Sequence, residues 1–246
     1  RILSWNLKVK FHIDLMKNNY LGIIVARKGS KGIKNKNFLL INKKENKRVI
    51  DYTLESAKQA HKLNSVILSS NDERILNRAK KYDLDMIIKR SSKLSNDNSK
   101  TVDAVIDAVK KFEKKFYKPK FIVLLQPTSP LRKSKHIDES INFFNKNNMK
   151  YNSLVSVSEY NGTHPFKLKK IVKNYIKPFI DKADSEKPRQ SMPKVYKLNG
   201  LIYIIKTDVL IKKKTFFNLC VPYFIKEKYS LNLDNYEDLA KLKKYT

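Results

Sequence analysis

A three-layer α/β sandwich is the fold class the sequence predicts, on three observations. Through residue 150, short apolar runs alternate with amphipathic stretches. The first apolar run, "LGIIVA" (21–26), breaks into a basic loop punctuated by glycine, "RKGSKGIKNKN" (27–37). Past residue 160 the chain changes character, and an apolar run returns only at 196–206. Strands alternating with helices imply a mostly parallel sheet covered on both faces. At 246 residues the chain suffices for one large domain with a smaller appendage.

The elements follow in order. "LGIIVA" reads as a buried strand, and "VIDYTLESAKQAHKL" (49–63) has helical spacing with one apolar face. "SVILSS" (65–70) is a strand, and Asn71 or Asp72 is a plausible N-cap for the helix in "NDERILNRAKKY". "DMIIKR" is a short strand, and residues 99–116 form a helix with Val102, Val105, Ile106, Val109 and Phe112 on one face. "KFIVLLQ" (120–126) is a strand ended by "PTSP", and a helix starts at Ser134 or Lys135. After a strand in "NSLVSVSEY", residues 161–195 read as an excursion from the sheet. "YKLNGLIYIIK" (196–206) returns to strand, and "SLNLDNYEDLAKL" predicts a strand and then a helix capped near Asn235. Residues 1–15 are expected to be an extension outside the fold, with Met16 a natural start and 16–246 the folded domain.

Composition narrows the class. The formal net charge of +30 invites a nucleic-acid reading, but lysines are scattered along the chain with no basic tail and few arginines. That pattern is a lysine and asparagine bias on solvated faces, able to steer a small polyanion. The single cysteine, Cys220, excludes an intrachain disulfide and a multi-cysteine zinc site and points to a reducing, cytoplasmic setting. No apolar run approaches the roughly 20 residues that span a bilayer, so no membrane anchor is expected.

Ligands of such sheets bind beyond the carboxyl ends of the strands. That rim holds Ala26 to Asn37, Ser69 to Asp72, Arg90 to Ser99 and Gln126 to Arg132. The opening loop matches neither the Walker pattern nor the dinucleotide Gly-x-Gly-x-x-Gly pattern. It offers instead Arg27, Gly29, Ser30, Lys31, Gly32, Lys36 and Asn37: approachable backbone amides, and cations able to neutralise a triphosphate.

"ARKGSKGIKNKN" resembles the A-R-x-x-S-K-G-(I/L)-x-x-K-N motif of the acylneuraminate cytidylyltransferases. "LLQPTSPLR" (124–132), "PRQSMPKVYKLNGLIYI" (188–204) and "SLNLDNYEDL" (230–239) match further motifs in the expected order, so the resemblance spans about residues 20–240. It implies a Rossmann-like nucleotidyltransferase sheet with a small dimerisation element inserted at about 161–195, hence a homodimer. The implied partners are CTP and a nine-carbon keto sugar acid, of the sialic, legionaminic or pseudaminic type.

The resemblance assigns roles to matched positions. Arg27, Lys31 and Lys36 become the triphosphate clamp, with Gly29, Ser30 and Asn37 completing the loop. Arg90, with Ser95 to Asp97, corresponds to the segment around the cytosine. Gln126, Arg189, Asn199 and Tyr203 correspond to acceptor contacts; Asn199 and Tyr203, four residues apart, are expected on one face of their strand, though Tyr203 equally suits the core. Lys167 matches a lysine of the insertion that reaches across a dimer interface. Near the C-terminus the family carries Asp-x-Asp for Mg²⁺ (or Mn²⁺), and here the pair is Asn232 and Asp234. One ion held by Asp234 is expected, and the affinity for a second is in doubt. Arg27, Lys36 and Asp234 form the implied catalytic set. The alternatives are the related cytidylyltransferase of the eight-carbon acid Kdo, whose loop carries arginine at the position of Lys31, and a nucleic-acid-binding module.

Overall fold

The computed structural model describes residues 19–29, 32–96 and 98–245. The 1–15 extension, Met16, and Ser30, Lys31 and Asp97 of the expected site lie outside those residues. The expected sandwich is present. Its seven-stranded sheet is built from Tyr20–Ala26 (β1), Ser65–Ser70 (β4), Met86–Lys89 (β5), Phe121–Leu125 (β6), Ser153–Glu159 (β7), Tyr196–Lys206 (β10) and Cys220–Phe224 (β11). Their spatial order is β11-β7-β10-β6-β1-β4-β5. Every pairing is parallel except those of β10, which runs antiparallel to β6 and β7.

Two faces of the sheet explain why its central strands are continuously apolar. Alternate residues of β1 point to opposite sides: Tyr20 and Ile24 to one cluster, Leu21 and Ile23 to the other. The first cluster is covered by Val49–Lys58 (α1), Glu73–Ala79 (α2) and Ser134–Asn147 (α4), through Leu54, Ile75 and Phe144 among others. The second lies under Thr101–Glu113 (α3) and Thr207–Lys213 (α5). Each such fully buried Leu, Ile or Phe contributes about 1.5–3 kcal/mol before ordering costs. A third, smaller cluster matters for function. Ile33 from the opening loop packs with Ile41, Val49 and Leu233, and with Leu239 and Leu242 of Tyr236–Leu242 (α6).

Several expectations change. The helix expected over 49–63 stops at Lys58, where the Gln59 amide bonds back to Glu55 and Ala57. Of the two candidate caps, Asp72 caps α2 through Arg74 N, while Asn71 Oδ1 accepts from Lys28 N at 2.6 Å and pins the opening loop. No strand forms at 230–234. The alternation of Leu231 and Leu233 serves the third cluster, and one bond, Leu233 N to Thr128 O at 2.7 Å, replaces a ladder. Sequence reading missed β11, α5 and a small hairpin, Leu40–Asn42 (β2) with Lys47–Arg48 (β3). The 161–195 excursion does leave the main sheet, as an independent hairpin of Lys169–Val172 (β8) and Tyr175–Pro178 (β9). Among the described residues no helix is long and apolar enough to cross a membrane.

Candidate active site

The chain runs from β1 outward to β4 and β5, then crosses back to place β6 on the other side of β1. A crevice opens at such a switch point beyond the strand ends. Here it is a cleft of about 470 Å³. Arg27 follows β1, Arg90 follows β5 and Gln126 follows β6, and all three line it together with Lys36, Asn37, Asn232 and Asp234.

Local chemistry fixes each side chain. Asn37 is buried, and its Nδ2 donates to the Arg27 carbonyl at 3.2 Å, folding the opening loop back on itself. Lys36 Nζ donates to Asp234 Oδ1 at 2.8 Å, joining that loop to the C-terminal segment. Gly32 permits the approach: a Cβ there would lie 2.2 Å from the Asp234 carbonyl. Asp234 is further held by its backbone amide, which donates to Asp238 Oδ2 at 3.0 Å within the capping box that Asn235 forms with Asp238. The expected cap at Asn235 is therefore part of the site's support.

Arg90 is buried; its Nε donates to Ser95 Oγ at 3.0 Å, and one terminal nitrogen, Nη2, has no partner. Burial first, and then the charge of Arg27, pull its guanidinium below the usual arginine range. Asn37 Oδ1 and Asn232 Oδ1 are likewise buried without partners. Such orphans are rare in folded proteins, and three of them belong to residues lining this one cleft.

Asp234 is the acidic residue facing the cleft among the described residues, against Arg27, Lys36, Arg90 and Lys100. Among those residues no group of three or more His, Cys, Asp or Glu side chains gathers to hold a metal. The Asp234 carboxylate is 61% exposed, and beside it Asn232 offers a neutral, unpartnered Oδ1. One charged and one neutral oxygen fit a single Mg²⁺ completed by phosphate oxygens and water; they do not supply a second carboxylate for another ion.

The other expected acceptor residues scatter. Gln126 lies in the cleft, but Asn199 is buried in hydrogen bonds with Ser156 Oγ (2.6 Å) and Ser158 Oγ (2.9 Å). Asn199 lines an adjoining cavity of about 920 Å³ that shares Asn232 and Asp234 with the cleft. Tyr203 is not on its face: the register against β7 shifts between Leu198 and Tyr203 around Gly200, at φ 73°. Tyr203 packs in the second core cluster beside Phe216 and Phe217. Arg189 donates to the Asn161 carbonyl at 2.6 Å, and it and Lys167 sit exposed on the excursion, outside the cleft.

Sequence reading missed Lys100, and it put Arg132 on the rim without a role. Lys100, at the start of α3, lines the cleft; its place one residue past the predicted rim segment was the available signal. Arg132 is buried, donating through Nη1 to the carbonyls of Gln126 (3.1 Å) and Leu201 (2.9 Å) and through Nη2 to Thr53 Oγ1 (2.7 Å). It ties the end of β6 to β10 and so positions Gln126, and burial brings its guanidinium down to about 9.

A Cytidylyltransferase family model matches residues 21–243. The N-acylneuraminate cytidylyltransferase of Escherichia coli O18:K1:H7 is 30% identical over 225 residues, covering 91% of this chain; the chain spans about half (51%) of that relative's length. The CMP-N,N'-diacetyllegionaminic acid synthase of Legionella pneumophila is 32% identical over 200 residues, 80% of this chain and 82% of that protein. A solved CMP:2-keto-3-deoxy-manno-octonic acid synthetase complexed with CTP is similar with TM-score 0.68 at 16% identity, covering 93% of this chain and 98% of that one. At that identity the likeness shows the fold alone.

Proposed function

The chain belongs to the cytidylyltransferase family, and on that premise we propose that it activates a nine-carbon keto sugar acid with CTP to give the CMP-sugar and pyrophosphate. The observation that carries the reading is the cleft itself: Arg27, Lys36, Arg90 and Lys100 face one carboxylate at the switch point of the sheet. Four cations against one anion suit a triphosphate. The acceptor's anomeric hydroxyl attacks the α-phosphorus, the α–β phosphoanhydride bond breaks, and pyrophosphate leaves in line. Such transfer needs positioning and charge neutralisation rather than a covalent intermediate. Arg27, Lys36 and Lys100 neutralise the phosphates, while the unpartnered Nη2 of Arg90 is suited to an acceptor atom of the cytosine ring. Gln126 orients the acceptor. A Mg²⁺ or Mn²⁺ ion at Asp234 would add charge neutralisation at the phosphates.

The exposed apolar hairpin, with Ile171 and Ile176, supports a homodimer through the excursion. The single cysteine supports a cytoplasmic setting.

Pyrophosphate release measured with CTP, Mg²⁺ and a panel of sialic, legionaminic, pseudaminic and Kdo acids tests the reading. Turnover with a nine-carbon acid is expected, and Arg27→Ala should lower kcat/KM for CTP about 100-fold. Turnover of Kdo alone transfers the assignment to the eight-carbon acid. No CTP binding, together with nucleic-acid binding that persists at physiological salt, replaces it altogether.

A further inference from the structure

Each carboxylate oxygen of Asp234 already accepts one hydrogen bond. Lys36 Nζ holds Oδ1 at 2.8 Å and Asn232 Nδ2 holds Oδ2 at 2.5 Å. The Lys36 side chain is only 11% exposed, so this ion pair is partly shielded from water. Its charges cancel, one against one. The Asn232 amide is oriented by its bond, because turning it over would set Oδ1 against Oδ2, two acceptors with no proton between them. A carboxylate at 232 would create the opposite situation: two anions in contact, a pairing that calls for a cation. Asparagine removes that demand and supplies a donor.

We propose that Asn232 and Lys36 form a clasp on Asp234 that keeps divalent ions out of the nucleotide-free site, so that an ion is taken up only together with the phosphates of the nucleotide. The inference rests on the CTP reading above for its second half. Nucleotide phosphates are the competing anion that draws Lys36, itself a cleft residue, away from Oδ1. Mg²⁺ is suited to such delivery, since it binds through one or two carboxylates together with substrate phosphates and waters. Asp234 stays in place while its partners exchange, because its backbone is fixed by Asp238 and by the close passage of Gly32.

The test uses the full chain and Mn²⁺, followed by the loss of its free-ion paramagnetic resonance signal without nucleotide. Wild type should show no saturable uptake below about 1 mM, whereas Asn232→Asp and Lys36→Met should each bind one ion at least about tenfold more tightly. Either variant suffices if the other fails to fold. Saturable uptake by the nucleotide-free wild type, or no gain in the folded variants, overturns the clasp. In a parallel calorimetric titration, α,β-methylene-CTP should bind wild type about tenfold more tightly with Mg²⁺ than without. Binding indifferent to Mg²⁺ overturns joint uptake. If the analogue binds under no condition, the CTP reading falls, and the Mn²⁺ measurement still judges the clasp by itself.

Discussion

The cleft and the excursion break the burial rule in opposite directions. At the cleft, polar atoms are buried without partners: Asn37 Oδ1, Arg90 Nη2 and Asn232 Oδ1. On the β8–β9 hairpin, apolar side chains stand in water, with Ile171 79%, Ile176 73% and Tyr175 70% exposed. The central strands β1, β4 and β6 are buried on both faces. Each exception is incomplete in its own chemical sense. Arg90 Nη2 lacks a hydrogen-bond partner, and the hairpin's apolar side chains lack a covering surface among the described residues. Among the described residues, neither the cleft's orphan polar atoms nor the hairpin's apolar side chains are satisfied.

The contrast can be broken at its strongest point first. Arg90→Met removes a buried charge and its orphan nitrogen, so kcat/KM for CTP should fall by about two orders of magnitude while Tm holds or rises. A large drop in Tm with unchanged CTP affinity would recast Arg90 as a structural residue. At the hairpin, Ile176→Lys should weaken self-association by about 2 kcal/mol, read as dimer dissociation in sedimentation equilibrium. A wild type that is already monomeric at micromolar concentration ends the hairpin argument.

The smallest effect belongs where the rule is satisfied. His136 is buried, accepts from Lys133 N through Nδ1 at 3.1 Å and packs against the Tyr229 ring. Burial first, and then Lys135, hold its pKa down at about 4. Between pH 6.5 and about 4 the unfolded chain binds a proton that the folded one refuses. Stability is therefore full above that window and declines as the pH falls through it. Denaturant titrations should show wild type losing about 1–2 kcal/mol more than His136→Gln between pH 7 and pH 5. Equal losses would mean that His136 does not titrate in this way.

How legible each part was in the sequence follows the same division. β1, β4 and β6 were plain because burial on both faces makes them continuous apolar runs. β11 was hidden by Pro222, a residue that only an edge strand tolerates, and the sheet does end at β11. The loop of Arg27 and Lys36 could be found because glycines and cations follow a buried strand. The pairing of Asn199 with Tyr203 misled because period-2 reasoning assumes an unbroken register, and the irregularity at Gly200 breaks it. The local sequence does not show that the Arg132 guanidinium would be spent inside the fold, since two of its three acceptors, the Thr53 hydroxyl and the Leu201 carbonyl, are remote in sequence.

The contact of Lys36 with Asp234 spans 198 positions of the chain. Closing so distant a pair comes late, because loop-closure entropy is lost before the contact rewards it. A ribosome must release the chain through Leu242 before Leu233, Leu239 and Leu242 can seat Ile33 and bring the two halves of the cleft together. Four of the seven strands can pair earlier, since β1, β4, β5 and β6 all precede residue 126. A nascent chain of this protein would therefore hold part of its scaffold well before the cleft is complete, since one wall of the cleft arrives only with α6.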